Sequence, residues 1–417
     1  MADQAEERHA SWLELFFDLT VVAAAAQIAH RLHQAETVGQ VAACAAMFYA
    51  VWSVWTTTSV YANVAGARTR RRAVLRTMLG VGVMAAAVPG VFPGLLPHHG
   101  ETDLQDRTAA FTVAFIICRG IASRAASRDG QVIAFWPATQ TAVAAPFIVS
   151  LFTDEPVTYW LWGVGVVLDL VTSVLGARNP RSMEERAKRI RHDLEQGQHR
   201  SQWLSRLLRG GSSSEPATPA LVTVAQAERG HLDERLGLFV IIVLGEAVAQ
   251  VVTADTGKPW NGAVVLSSVA AFFLVVILWQ LTTLYGFTPA PRSTKPLEPW
   301  QALPAHLGVT AAIVSVAAGL GALIPEAEGH LLTRDRWLIF GGLALYLVSS
   351  VGAGVAGRAP LRWYAGWAGP SLVAAVLLGV LGHGLEAWLL ASLAVVVLGW
   401  FALYNWFAKG RTPVSVT

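Results

Sequence analysis

The sequence predicts an all-α membrane protein, a polytopic helix bundle of about twelve spans. Three observations predict it. Of 417 residues, 54% are hydrophobic and only 14% charged, well to the apolar side of soluble domains. Apolar runs of about 20 residues recur along the whole chain, each long enough to cross roughly 30 Å of hydrocarbon as a helix. Basic loops alternate with loops poor in Lys and Arg, as the positive-inside bias requires of a multi-pass chain.

Runs bounded by charge, Pro or Gly fall near 12–31, 38–62, 74–92, 108–125, 131–152, 157–177, 234–254, 261–286, 302–324, 336–356, 363–383 and 386–408. The acidic start "MADQAEERHAS" lacks a basic leader, so the first run is expected to remain as a span. After the second run comes "ARTRRRAVLR", after the fourth Arg124 and Arg128, and after the sixth nine Lys and Arg between Arg178 and Arg209. These loops belong to the cytoplasm. "PHHGETDLQDR", "TDEPVTY" and "TADTGKPWNG" belong to the other side, and an inner (cytoplasmic) membrane with both termini cytoplasmic is the expected location. No soluble catalytic domain has room between the runs.

The two halves echo each other. "LFFDLTVVAAAAQ" (15–27) and "LFVIIVLGEAVAQ" (238–250) share their first two and last two residues at equal spacing, and "WTTTSVY" (55–61) matches "WQLTTLY" (279–285) at both ends. Because each match opens a run of six spans, two six-helix parallel repeats are expected over 1–177 and 231–417, an arrangement found in some transporters. Chance likeness is the alternative, since membrane helices draw on few residue types. Between the halves, in 178–230, the segment 183–209 spaces Ile190, Leu194, Trp203, Leu204, Leu207 and Leu208 as a helix among many Arg, so it is expected to lie on anionic inner-leaflet lipids. A solvated basic loop is the bland alternative. "GGSSSEPATPA" then reads as a flexible linker.

Ionisable residues within spans are costly and normally face a partner or a wet cavity. Glu14 and Asp18 stand one turn apart on the first helix; Arg119 lies in the fourth and Asp169 in the sixth. His231, Arg235 and Glu246 share one stripe of the seventh. In the inferred topology Asp18, Arg119, Asp169 and Arg235 all lie toward the cytoplasmic end, so a cytoplasm-facing charged chamber of near-neutral total charge is expected. Glu246, deeper and without an evident charged neighbour, joins Asp18 and Asp169 as candidate proton carriers or acids. Glu14, Arg119, His231, Glu234, Arg235, Trp55, Tyr61, Trp279 and Tyr285 are candidates for substrate binding. Interhelical ion pairs, snorkelling groups and belt aromatics are the competing structural readings.

No phosphate-cradling glycine loop, nucleotide signature, Gly-x-Ser-x-Gly elbow or His/Cys metal spacing occurs; no cofactor or metal is evident, and nothing points to nucleic acid. Cys44 and Cys118 lie within apolar runs and read as small buried hydrophobes.

Two stretches, "WLELFFDL" followed by Gln27 and His30, and "HLDERLGLFVIIVLGEAV", resemble the bacterial low-temperature-requirement A family of multi-spanning membrane proteins. The resemblance is clearest over 12–63 and 231–287. It marks Glu14, Phe16, Phe17, Asp18, Gln27 and His30 in the first helix, Tyr61 and Asn63 at the end of the second, and His231, Glu234, Arg235, Gly237, Phe239, Gly245 and Glu246 in the seventh. It departs after Asn63: the family pattern continues with an acidic stretch, whereas this chain reads "NVAGARTRRR". The family's name describes a growth phenotype, so activity stays open among three readings. They are a proton-coupled transporter of a small solute or ion, an intramembrane enzyme acting on a lipid or isoprenoid, and a scaffold working through 183–209.

Overall fold

Apolar runs become helices in a bilayer because each backbone N–H and C=O must find its partner within the segment once water is gone. A computed structural model describes residues 11–91, 101–128, 131–133, 144–178, 188, 192, 223–225, 227–254, 259–288 and 290–409. Its helices are α1 (Trp12–His33), α2 (Val38–Ala65), α3 (Arg71–Ala87), α4 (Glu101–Arg128), α5 (Ala145–Val149), α6 (Val157–Arg178), α7 (Arg229–Ala254), α8 (Gly262–Tyr285), α9 (Pro299–Leu323), α10 (Thr333–Ala356), α11 (Leu361–Trp367), α12 (Gly369–Leu381) and α13 (Ala387–Lys409). Two three-residue strands, Gln131–Ile133 and Thr223–Ala225, pair in parallel.

The helix ends are set by local chemistry. Ser11 and Glu14 form a capping box on α1, and Thr37 and Gln40 form another on α2, satisfying backbone donors that the first turn leaves open. Asn261 caps α8 through a 3.0 Å bond from Val264 N. Gly66 (φ 59°) and Gly286 (φ 84°) stop α2 and α8 in backbone conformations that a side chain would strain.

Among the described residues, nine helices are long and apolar enough to cross a membrane: α1 to α4 and α6 to α10. The chain is a multi-pass membrane protein. The eleventh expected run forms two helices, α11 and α12, bent by 41° to each other where Pro370 cannot continue the hydrogen-bond ladder of α11. The twelfth is α13, apolar over Ala387–Phe401. Residues 134–143 of the fifth run lie outside the described residues, and so does 183–209 apart from Lys188 and His192.

α2 and α9 form the axis of the bundle: 67% and 72% of their apolar windows are buried, against 22% for α6, which shows Trp160, Val167 and Leu175 to lipid. α2 packs against α1, α3, α4, α6, α7 and α9, while α9 also packs against α1, α7 and α10. Any polar side chain on the inner face of α2 is therefore surrounded by protein.

Candidate functional site

The inner face of α2 carries Tyr49, Trp52, Thr56, Ser59 and Asn63, a stripe at intervals of three and four residues. Two buried ion pairs hang from it. In the first, Asp18 of α1 and Arg235 of α7 are both essentially inaccessible, at 0% and 1% exposure. Arg235 Nη2 donates to Asp18 Oδ1 at 2.7 Å and to Ser59 Oγ at 3.3 Å, and Trp55 Nε1 donates to the same Oδ1 at 2.7 Å. The pair thus meets through one oxygen and one nitrogen. Asp18 Oδ2, Arg235 Nε and Arg235 Nη1 are buried with no hydrogen-bond partner among the described residues. Charged groups left so are costly unless water or a solute completes them.

Glu14 and His231 extend this cluster toward the end of the bundle. One carboxylate oxygen of Glu14 accepts from Ser11 N at 2.7 Å as part of the helix cap, and the other lies 4.0 Å from His231 Nε2. Asn63 fixes the histidine tautomer. Its Oδ1 accepts from Glu228 N at 2.7 Å, so Nδ2 is the donor; that group reaches Glu228 O at 3.0 Å and His231 Nδ1 at 3.1 Å. His231 Nδ1 must therefore accept, which leaves the ring neutral with its proton on Nε2, toward Glu14. Glu14 is in electrostatic reach of both Arg235 and Asp18. With His231 neutral, two carboxylates face one guanidinium.

The second pair joins Arg119 of α4 to Asp169 of α6. Arg119 Nη2 donates to Asp169 Oδ1 at 3.0 Å, Arg119 Nη1 contacts Oδ2, and Tyr49 OH donates to Oδ2 at 2.8 Å. Both oxygens of this carboxylate are thus satisfied. Tyr49 and Trp55 are six residues apart on α2, so the pairs are separated by about 9 Å along its axis and do not share one chamber. Aromatic rings bridge the gap. Tyr49 lies 6.1 Å from Trp52 between centroids, Trp52 Nε1 donates to His306 Nδ1 at 3.0 Å, and His306 stacks on Trp55 at 5.6 Å. Because Trp52 can only donate, His306 is neutral too, and its Nε2 proton goes to Leu236 O at 3.2 Å. Phe239, at 4.2 Å from Trp55, and Phe287 complete the ring around His306.

Of the residues singled out from the sequence, Glu14, Asp18, Trp55, His231 and Arg235 come together, and Arg119 meets Asp169. Tyr61 is buried nearby, its hydroxyl accepting from Arg70 N at 3.3 Å. The others stand apart. Glu234 is exposed, one residue and about 100° around α7 from Arg235. Glu246 is half-buried eleven residues beyond Arg235 and accepts from Gln250 Nε2 at 2.7 Å. Trp279 is 48% exposed, and Tyr285 packs edge-on against Trp367 in another cluster. Phe16, Gln27, His30 and Gly245 are exposed as well. The sequence reading missed Tyr49, Trp52, Ser59 and His306. The α2 stripe was a signal for the first three, and a histidine inside the apolar run of α9 for the last.

No group of three or more His, Cys, Asp or Glu side chains placed to hold a metal occurs among the described residues, and Cys44 and Cys118 are free and buried. The fold and site define a class: a multi-pass helical membrane protein with paired charges buried inside its bundle. The chain belongs to the family described as bacterial low temperature requirement A protein (LtrA), whose sequence profile matches residues 9–403. No curated protein and no solved structure matches it.

Proposed function

We propose that the protein is a proton-coupled transporter of a small polar solute, with the cluster of Glu14, Asp18, Arg235 and His231 as its coupling site. One observation carries this reading. Asp18 and Arg235, both fully buried, meet through one 2.7 Å bond and leave Asp18 Oδ2, Arg235 Nε and Arg235 Nη1 without a partner among the described residues. A buried carboxylate oxygen left so is relieved by binding a proton or a cationic group. Exchange of that proton for a solute, at a site built from α1 and α2 of one half and α7 of the other, gives a coupling device of the kind that alternating access needs. Asp18 Oδ2 with Arg235 Nε and Nη1 offers an acceptor beside donors, the complement of a solute carrying both.

In this reading the end of the bundle bearing Glu14, Asn63 and the "ARTRRR" loop faces the cytoplasm, the two halves rock against each other, and the membrane is the inner one. Glu246, with its own partner Gln250, is peripheral to coupling. The enzyme reading draws less support, because Trp52, Trp55, Phe239 and Phe287 close on His306 instead of on space for a hydrocarbon substrate.

The test is flux in vesicles. Purified protein is sealed into vesicles holding a pH-sensitive dye, then challenged with a panel of cationic and zwitterionic solutes. Internal pH should respond to at least one solute with the wild type and to none with Asp18→Asn. Responses equal to those of empty vesicles across the panel would reject the proposal.

A further inference from the structure

A second built feature lies beyond the coupling site, where the connection from α8 to α9 lies against the connection from α10 to α11. Thr294 N and Lys295 N both donate to Gly357 O, at 2.9 and 3.1 Å, and Thr294 Oγ1 reaches Arg358 O at 3.4 Å. The approach depends on Gly357, whose Cβ, if present, would stand 2.7 Å from Ser293 Cβ. This clamp gathers four exposed cations, Arg292, Lys295, Arg358 and Arg362. Arg292 and Arg358 hold φ of 58° and 59°, a left-handed backbone that strains a non-glycine residue and persists only where surrounding structure imposes it.

Lys295, Arg358 and Arg362 have no carboxylate partner among the described residues. Arg292 instead places its guanidinium 5.0 Å over the ring of Trp363. Trp363 stacks on Trp367 at 5.2 Å and 22°, and both indole N–H groups are buried without an acceptor among the described residues. Beneath lie Tyr364 and Phe401. A surface of exposed cations, with Trp363 beneath Arg292, thus sits at the ends of apolar helices, the level at which lipid headgroups meet water.

It is the same end as the coupling cluster. Arg229, at the start of α7, reaches Glu298, just before α9, at 2.9 Å, and Asn63 holds Glu228 beside it.

We propose that Arg292, Lys295, Arg358 and Arg362, held in place over the buried Trp363, form a binding site for the headgroup of an anionic phospholipid. The charge complements a phosphodiester, and the ends of the apolar helices beside it suit the glycerol and upper acyl region, which a free phosphate lacks. This site uses no residue of 183–209 and does not rest on the transport reading, because binding can be read in detergent with no flux.

The experiment is native mass spectrometry of the full chain released from detergent, titrated with dioleoyl phosphatidylglycerol or dioleoyl phosphatidylcholine. The wild type should retain phosphatidylglycerol in preference to phosphatidylcholine. The fourfold variant R292Q/K295Q/R358Q/R362Q should weaken that retention at least about tenfold, since each cation near a headgroup contributes on the order of 1 kcal/mol. R292K/R358K/R362K, which keeps the charge, should retain most of it. If the fourfold variant does not fold, Lys295→Gln and Arg362→Gln, on exposed side chains, carry the comparison and should each weaken binding. Equal retention by the Gln variants, equal retention of the two lipids, or displacement of phosphatidylglycerol by equimolar inorganic phosphate would overturn the proposal.

Discussion

Arg235 and Asp18, 217 residues apart in the chain, meet in the interior through one 2.7 Å bond from Nη2 to Oδ1, and the same oxygen also accepts the indole N–H of Trp55. A carboxylate that crowds two donors onto one oxygen and leaves the other bare differs from Asp169, whose two oxygens are both engaged by Arg119. The contrast separates the pairs by role. Arg119 and Asp169 look inward to each other and join α4 to α6, whereas Asp18 and Arg235 keep capacity for something else.

Breaking the first pair should cost more than removing it. Arg235→Gln leaves the buried Asp18 carboxylate without its cation, a loss on the order of 3–5 kcal/mol. Arg235→Gln combined with Asp18→Asn should melt at a higher temperature than Arg235→Gln alone in detergent. A double variant no more stable than the single would show that the two side chains do not interact.

Asn63 should control the tautomer of His231. Nitrogen-15 NMR of labelled protein at neutral pH should show His231 neutral with its proton on Nε2, and Asn63→Ala should release that restriction. A wild-type ring protonated on Nδ1 would contradict the hydrogen-bond geometry.

His306→Ala should destabilise the bundle by about 3–5 kcal/mol, because it leaves a cavity among Trp52, Trp55, Phe239 and Phe287 and orphans the Trp52 N–H. The near-ultraviolet circular dichroism of the buried indoles should fall with it. An unchanged spectrum and melting temperature would remove His306 from the core.

The close approach of α9 and α10 should depend on Gly342, where an added Cβ would lie 3.1 Å from both Ala312 O and Val316 N. Gly342→Ala should cost about 1–3 kcal/mol, whereas Gly352→Ala on the same helix meets open space and should be neutral or slightly stabilising. Equal melting temperatures for the two variants would contradict the packing.

What could be read in the sequence follows from physical cost. Asp18, Arg119, Asp169 and Arg235 stood out because hydropathy excludes charges from spans, and all four are buried in ion pairs. Which acid meets which base was not legible, since partners 50 and 217 residues apart are matched by helix packing and not by local pattern. Trp279 and Tyr285 were chosen for an echo of Trp55 and Tyr61, but equal spacing along two helices does not fix which face of each turns inward. Glu234 and Arg235 show the same limit within one turn, one side chain exposed and its neighbour enclosed. His306 escaped notice because a neutral histidine with both ring nitrogens satisfied costs little at that depth. The span count from apolar runs cannot register that Pro370 breaks the eleventh run into two helices.

The central claim is that the buried Asp18 carboxylate, with one oxygen open beside Arg235, holds a transferable proton. Infrared spectroscopy of the purified protein in H2O and D2O tests it most directly by detecting protonated carboxyl groups. At neutral pH the wild type should show a buried protonated carboxyl band that shifts in D2O. The band should vanish in Asp18→Asn, and it should strengthen in Arg235→Gln. A wild type with no such band, or a band untouched by Asp18→Asn, would contradict the account.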